Sequence, residues 1–106
     1  MTFQEYQKEN FNYECITTFW EDFSIADAFG IQAIKDTFKR SFEEWKTNYK
    51  YLTELVIVLN TKCWIHYSEG REDVSALYSE LYYKAKDYAY ENLKGEELEY
   101  FYQITD

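Results

Sequence analysis

The chain has 106 residues, of which 22% are aromatic, and its formal net charge is -9 at pH 7. So many aromatic side chains exclude an intrinsically disordered chain despite the charge, and the length predicts one domain, residues 1–106, with a single core. Because there is no proline and there are only three glycines, few positions interrupt a helix, and an all-helical fold is expected.

The amino-terminal third predicts two short helices separated by a turn. The segment Thr2–Glu5 fits a capping box that would open the first of them, and the two asparagines within residues 10–12 favour the turn. A second capping box, Thr18–Glu21, predicts a helix over residues 19–29 that Gly30 ends.

Three long helices are predicted next. An amphipathic stripe with spacings of three and four predicts a helix from Ile31 to Lys46. The segment Asn48–Tyr67 is the most apolar, and its β-branched run Leu55–Leu59 would also suit a buried strand. A helix is favoured because the spacing of three and four continues to His66 and no partner strand is evident. After a turn, a third long helix is predicted over Glu72–Leu93.

A final short helix is predicted over Glu96–Tyr102, after Gly95. The predicted fold class is therefore all-α, a compact bundle of three long helices with two or three short ones.

The sequence predicts no catalytic, cofactor-binding or metal site. His66 is the single histidine, which excludes any mechanism or metal site that requires two. Cys63 and His66 share one helical face and could form a nucleophile with its base. Since both lie on the apolar stripe, a packed core histidine and a buried thiol are the favoured interpretation.

A cytoplasmic location is expected. Residues 1–30 lack the pattern of a secretory signal, and the longest apolar run, Leu55–Leu59, is far shorter than the roughly 20 residues of a membrane-spanning helix. The two cysteines, Cys15 and Cys63, are then expected to be reduced.

Charge is distributed unevenly along the chain. Residues 1–30 hold six acidic and one basic residue (net -5), residues 31–68 four and six (net +2), and residues 69–106 ten and four (net -6). A chain this acidic is repelled by phosphate backbones, so no direct contact with nucleic acid is expected, although the helix from Ile31 carries basic residues. The predicted partner is a host protein with a basic surface.

One helical face carries the predicted partner-binding site. Successive residues of a helix are rotated by about 100°. In the helix over Glu72–Leu93, two tyrosines and three carboxylates therefore lie on the side that faces away from the apolar stripe. Tyrosine is enriched at interfaces, and carboxylates attract a basic partner. Alternatively, the terminal helices fold back and bury both rings. The predicted site comprises Glu72, Glu80, Tyr83, Asp87 and Tyr90.

Three segments carry a resemblance: ITTFWEDFSIAD at 16–27, YLTELVIVLN at 51–60 and NLKGEEL at 92–98. With the intervals between them, they resemble small acidic helical proteins encoded by phages and conjugative elements of gut Gram-positive bacteria. The resemblance implies a mobile-element context and brings no active residues with it. By analogy, small acidic proteins from that context are often inhibitors of host defence, including anti-restriction and anti-CRISPR proteins.

The leading hypothesis is a non-enzymatic protein that binds and inhibits, or modulates, a host nucleic-acid-handling protein, for example a CRISPR effector nuclease. The alternative is a structural or accessory helical scaffold of the mobile element, for instance a homodimer. A third hypothesis is a small enzyme built on Cys63 and His66. An acidic contact predicts a salt-sensitive complex, whereas a hydrophobic scaffold predicts a salt-tolerant one.

Overall fold

The computed structural model describes the backbone of residues 13–105 and the side chains of residues 18–105. These residues form five helices: α1 (Tyr13–Phe29), α2 (Ile31–Trp45), α3 (Tyr49–Ser68), α4 (Glu72–Asn92) and α5 (Glu96–Thr105). The predicted all-α fold class is confirmed, and the run Leu55–Leu59 is helical rather than a strand. The short helix and the turn predicted within residues 2–12 lie outside the described residues.

The division into three long helices and several short ones is not confirmed, because α1 is longer than predicted. It has 17 residues, two more than α2, and its helical backbone already begins at Tyr13. The segment Thr18–Glu21 has the sequence of a capping box, but it lies inside the helix. Residues 13–18 contain no glycine or proline, so no helix-breaking residue separates Tyr13 from the capping-box sequence.

Two residues that the sequence places at helix ends also lie at helix ends in the structure. Gly30 alone joins α1 to α2 and has a φ of 108°, a conformation that side-chain-bearing residues rarely adopt. Asn48 caps α3, since its side-chain oxygen accepts hydrogen bonds from the backbone N–H groups of Lys50 at 3.1 Å and Tyr51 at 3.3 Å. The predicted start of α3 is therefore within one residue of the observed start.

Helix α3 is the centre of the domain. It contacts each of the other four described helices, most extensively α4. Its middle segment supplies five core side chains that are completely buried: Leu52, Leu55, Val56, Val58 and Leu59. None of the helices in residues 13–105 combines the length and the apolar character that crossing a membrane requires.

Candidate protein-binding site

The five residues predicted to bind a partner are all exposed on α4. They fall within a sector of about 80° because their spacing returns them to the same side of the helix. Four of them, from Glu80 to Tyr90, span about 15 Å along the helix axis, whereas Glu72 lies about 16 Å before Tyr83. The structure therefore groups Glu80, Tyr83, Asp87 and Tyr90, and sets Glu72 apart at the beginning of the helix.

Tyr83 is the most exposed of the predicted aromatic residues, with 56% of its surface accessible. Its ring contacts that of Tyr82, with centroids 5.1 Å apart and planes at 63°. More than half of the residue is accessible despite this contact. A side chain in this position has the features of an interface anchor.

Tyr90 is only 37% exposed, because α5 covers part of its ring. The ring meets Phe101 edge-on, with centroids 5.6 Å apart, and lies 5.4 Å from the ring of Tyr102. The alternative in which the terminal helices fold back thus holds in part for the carboxy-terminal helix, which covers part of Tyr90, whereas the predicted amino-terminal helix lies outside the described residues. Tyr102 is itself exposed and extends the surface, and we call Tyr83, Tyr90 and Tyr102 the tyrosine ridge.

A basic residue, Lys86, also lies beside the tyrosine ridge. The Lys86 ammonium donates a hydrogen bond to the Tyr82 hydroxyl at 3.2 Å and lies 5.6 Å from the centroid of the Tyr90 ring. The hydrogen bond to Tyr82 raises the pKa of Lys86 above its ordinary value, so this group is charged at neutral pH. The sequence-based prediction missed Lys86, although its position four residues after Tyr82 and four before Tyr90 places it next to both of those rings.

The two carboxylates beside the ridge have different surroundings. Glu80 borders a groove of about 380 Å³ between α2 and α4, whose other charged lining residues are Lys35, Lys39, Glu43 and Lys84. Asp87 does not line that groove. The lysines of the groove therefore offset the attraction of Glu80 for a basic partner.

A buried polar cluster joins α1, α3 and α4. Asp27 lies at its centre: Lys62 Nζ donates to Oδ2 at 3.0 Å, and the Tyr78 hydroxyl donates to Oδ1. His66 Nε2 lies 3.1 Å from Oδ2 without the alignment of a hydrogen bond. Burial raises the pKa of Tyr78 above its ordinary value, and the hydrogen bond to Asp27 raises it further.

Lys62 is a buried cation whose charge is stabilised by several residues of the cluster. Besides Asp27, its ammonium donates to Ser24 Oγ at 2.8 Å and lies 4.2 Å from the ring centroid of Trp20. A desolvated ammonium is stable only with such partners. The cluster therefore fixes the position of α1 on α3, which is a structural role.

The geometry does not support a pairing of Cys63 with His66. His66 Nδ1 accepts a hydrogen bond from Arg71 Nε at 2.8 Å, which assigns the proton of the neutral imidazole to Nε2, beside Asp27. The Cys63 thiol instead lies 3.5 Å from Ser75 Oγ. His66 is buried, as the core interpretation predicts, but Cys63 is only half-buried, so the expectation of a buried thiol is wrong.

The side chain of the second cysteine, Cys15, lies outside the described residues. Among residues 18–105, no group of three or more histidine, cysteine, aspartate and glutamate side chains is arranged to hold a metal ion.

The buried cluster could be recognised in part from the sequence. Asp27 follows Phe23 by four residues on the buried side of α1, and Lys62 follows Leu59 by three on the buried side of α3. A charged residue at a core position of each of two helices is the available signal. Their contact depends on how α1 packs against α3, which periodicity does not specify.

Alkaline pH provides a test of the cluster. Above pH 10 the unfolded chain loses the Tyr78 proton while the folded chain retains it, so this residue should lower the free energy of unfolding by about 1.4 kcal/mol per pH unit. Tyr78→Phe should be less stable than the wild type at pH 7, because Asp27 loses a hydrogen-bond donor. Between pH 10 and pH 11, however, its free energy of unfolding should fall by less than that of the wild type. Urea unfolding at each pH measures both effects, and parallel losses in the two proteins would contradict the assignment.

Comparison of the chain with known protein families, with curated proteins and with solved structures finds no match.

Proposed function

We propose that this chain is a non-enzymatic protein-binding inhibitor or modulator of a host nucleic-acid-handling protein, and that it binds through the tyrosine ridge. The observation that carries the proposal is the exposure of Tyr83 beside Tyr90, on a helical face that also presents Asp87. Exposed tyrosines that stand on a rigid helix contribute large contact area at a small entropic cost. The ridge is about 10 Å long from Tyr83 to Tyr90, enough to fill one or two pockets of a partner.

The partner in this proposal has a basic surface. The chain has a net charge of -9, and its last third alone, which contains the ridge, has ten acidic and four basic residues. Acidic proteins associate fastest with basic surfaces, and the basic grooves of nucleic-acid-handling proteins are such surfaces. The resemblance of residues 16–27, 51–60 and 92–98 to mobile-element proteins implies a mobile-element context, and by analogy with inhibitors from that context the proposed partner is a CRISPR effector nuclease in the cytoplasm of the host.

The double substitution Tyr83→Ala with Tyr90→Ala is expected to weaken the complex by about 2 kcal/mol, or roughly 30-fold in dissociation constant. Tyr83→Ala alone should barely change stability, whereas Tyr90→Ala should lower it by about 1 kcal/mol because the ring contacts Phe101. Affinity capture from a Gram-positive host lysate, with wild type and variant in parallel, identifies the proteins whose retention depends on the ridge. Titration calorimetry with the purified partner then measures the loss.

Phe29→Ala is the matched control, since this aromatic residue is 80% exposed but lies on α1. It should leave the complex at full strength. A double tyrosine variant that remains folded and still binds at wild-type affinity would exclude the ridge as the contact surface. Retained proteins without basic surfaces would contradict the partner assignment.

Charge reversal tests the electrostatic part of the proposal. Glu80→Lys with Asp87→Lys should slow association several-fold, and the difference should fade as salt rises to about 0.5 M. Glu21→Lys with Glu44→Lys makes the same change in net charge on α1 and α2 and should have a smaller effect. Equal effects of the two variants would mean that net charge alone, and not the ridge, directs association.

The alternative function, a structural or accessory scaffold that acts as a homodimer, is favoured by a separate apolar surface. Ile25, Phe29 and Ile31 are all exposed around the junction of α1 and α2. A dimer held by this surface would be salt-tolerant, and Phe29→Ala would convert it to a monomer. Sedimentation equilibrium of the wild type and Phe29→Ala distinguishes this function from the leading proposal.

A further inference from the structure

A second surface feature lies between α3 and α4. It is an open groove of about 540 Å³. Two large aromatic residues of α3 line one side, and small residues of α4 line the other. The lining residues are Cys63, Trp64, Tyr67, Glu72, Ser75, Ala76 and Ser79.

Trp64 and Tyr67 are the most exposed aromatic residues of α3, at 63% and 62%. Their rings lie nearly perpendicular, with planes at 82° and centroids 6.1 Å apart. The two rings meet edge to face and form a corner that borders the groove, and the face of an aromatic ring carries the negative part of its quadrupole. A corner of this kind attracts a cation rather than an anion.

Glu72 is the charged residue of the groove lining. It makes no ion pair with any residue that the structure describes. The nearest basic residue in sequence, Arg71, is already occupied, since it donates to His66 Nδ1 and to the Glu69 carboxylate. The negative charge of Glu72 is therefore available to a ligand.

From these observations we infer that the groove binds an arginine side chain of a basic partner. The guanidinium group would stack on the indole of Trp64 and donate paired hydrogen bonds to the Glu72 carboxylate. A planar guanidinium satisfies both interactions at once, whereas the compact ammonium of lysine does not. The small side chains of Ala76 and Ser79 leave room for the backbone of the segment that carries the arginine.

The groove extends the tyrosine ridge, because Ser79 lies one helical turn before Tyr83. The inference rests on the proposed function only for the source of the arginine, a basic protein. The groove itself is tested without any partner, so the two proposals can fail separately.

The probe is the blocked pentapeptide Gly-Ser-Arg-Ser-Gly, and the control peptide carries citrulline, which has the same shape without the charge. We expect the arginine peptide to bind with a dissociation constant on the order of millimolar, given the modest strength of exposed cation–π contacts. Nuclear magnetic resonance follows the backbone amides of Ala76 and Ser79 and the indole N–H of Trp64. The citrulline peptide should bind at least fivefold more weakly.

Glu72→Gln should weaken the arginine peptide about fivefold while keeping the shape of the groove. Asp73→Asn is its matched control, because Asp73 is also exposed in the first turn of α4 but does not line the groove. Trp64→Ala with Tyr67→Ala should abolish the amide shifts, with circular dichroism showing that the variant remains folded. Equal binding of both peptides, or full binding by the Trp64→Ala, Tyr67→Ala variant, would overturn the inference.

Discussion

Replacing Asp27 with alanine is expected to lower the free energy of unfolding by about 3–5 kcal/mol, the usual effect of removing one partner of a buried ion pair. The substitution leaves the Lys62 ammonium without its carboxylate, although the Lys62 side chain is only 7% exposed. It also removes the acceptor of the Tyr78 hydroxyl, in a site where that hydroxyl is buried. Urea denaturation followed by circular dichroism measures the loss.

Asp22→Ala is the matched control for this variant. Asp22 lies on the same helix, and no hydrogen bond or ion pair joins its side chain to a described residue. Its replacement should change the stability by no more than about 0.5 kcal/mol. The double variant Asp27→Leu with Lys62→Met removes both charges and should be more stable than Asp27→Ala. If Asp27→Ala were as stable as the wild type, the cluster would contribute nothing to the packing of α1 on α3.

Leu55→Ala is expected to destabilise the protein by about 2–5 kcal/mol, the range for leucine truncation in a closed core. Leu55 is completely buried on α3, which contacts the other four described helices, so few neighbours can move to fill the cavity. The variant should keep its helical circular dichroism spectrum below the transition. The midpoint of its urea or thermal transition reports the loss.

Ile57→Ala is the comparison for Leu55→Ala, because Ile57 lies on the same helix but is only partly buried. It should have a clearly smaller effect. A loss below 1 kcal/mol for Leu55→Ala would mean that the core of the domain lies elsewhere. A spectrum dominated by sheet in the wild type would contradict the fold as a whole.

The helical part of this fold could be predicted from the sequence because its signals are local. The apolar stripe of α2 and the apolar residues spaced by three and four along α3 each predict a helix. Gly30, Asn48 and Gly95 each lie directly before the first residue of a helix. The start of α1 was predicted wrongly for the same reason. A capping box is a local pattern, and it does not require the helix to begin there when the preceding residues are also helical.

The candidate site could be predicted only as far as one helix defines it. The spacing on α4 places Tyr83 and Tyr90 on one face, and the structure agrees. The partial cover of Tyr90 depends on how α5 packs, and the groove beside Trp64 depends on the separation of α3 and α4. Both are properties of two helices together. No periodicity within a single helix contains that information.

The position of the polar cluster along the chain has a consequence for synthesis on the ribosome. Asp27 is translated 35 residues before Lys62 and 51 residues before Tyr78. While α1 is the newest helix, its buried side carries a carboxylate with no partner, and desolvating that group alone is strongly unfavourable. We therefore expect α1 to pack onto the domain only after α3, which brings Lys62, has been made. The polar cluster is complete only when α4 has also been made, because Tyr78 lies on that helix.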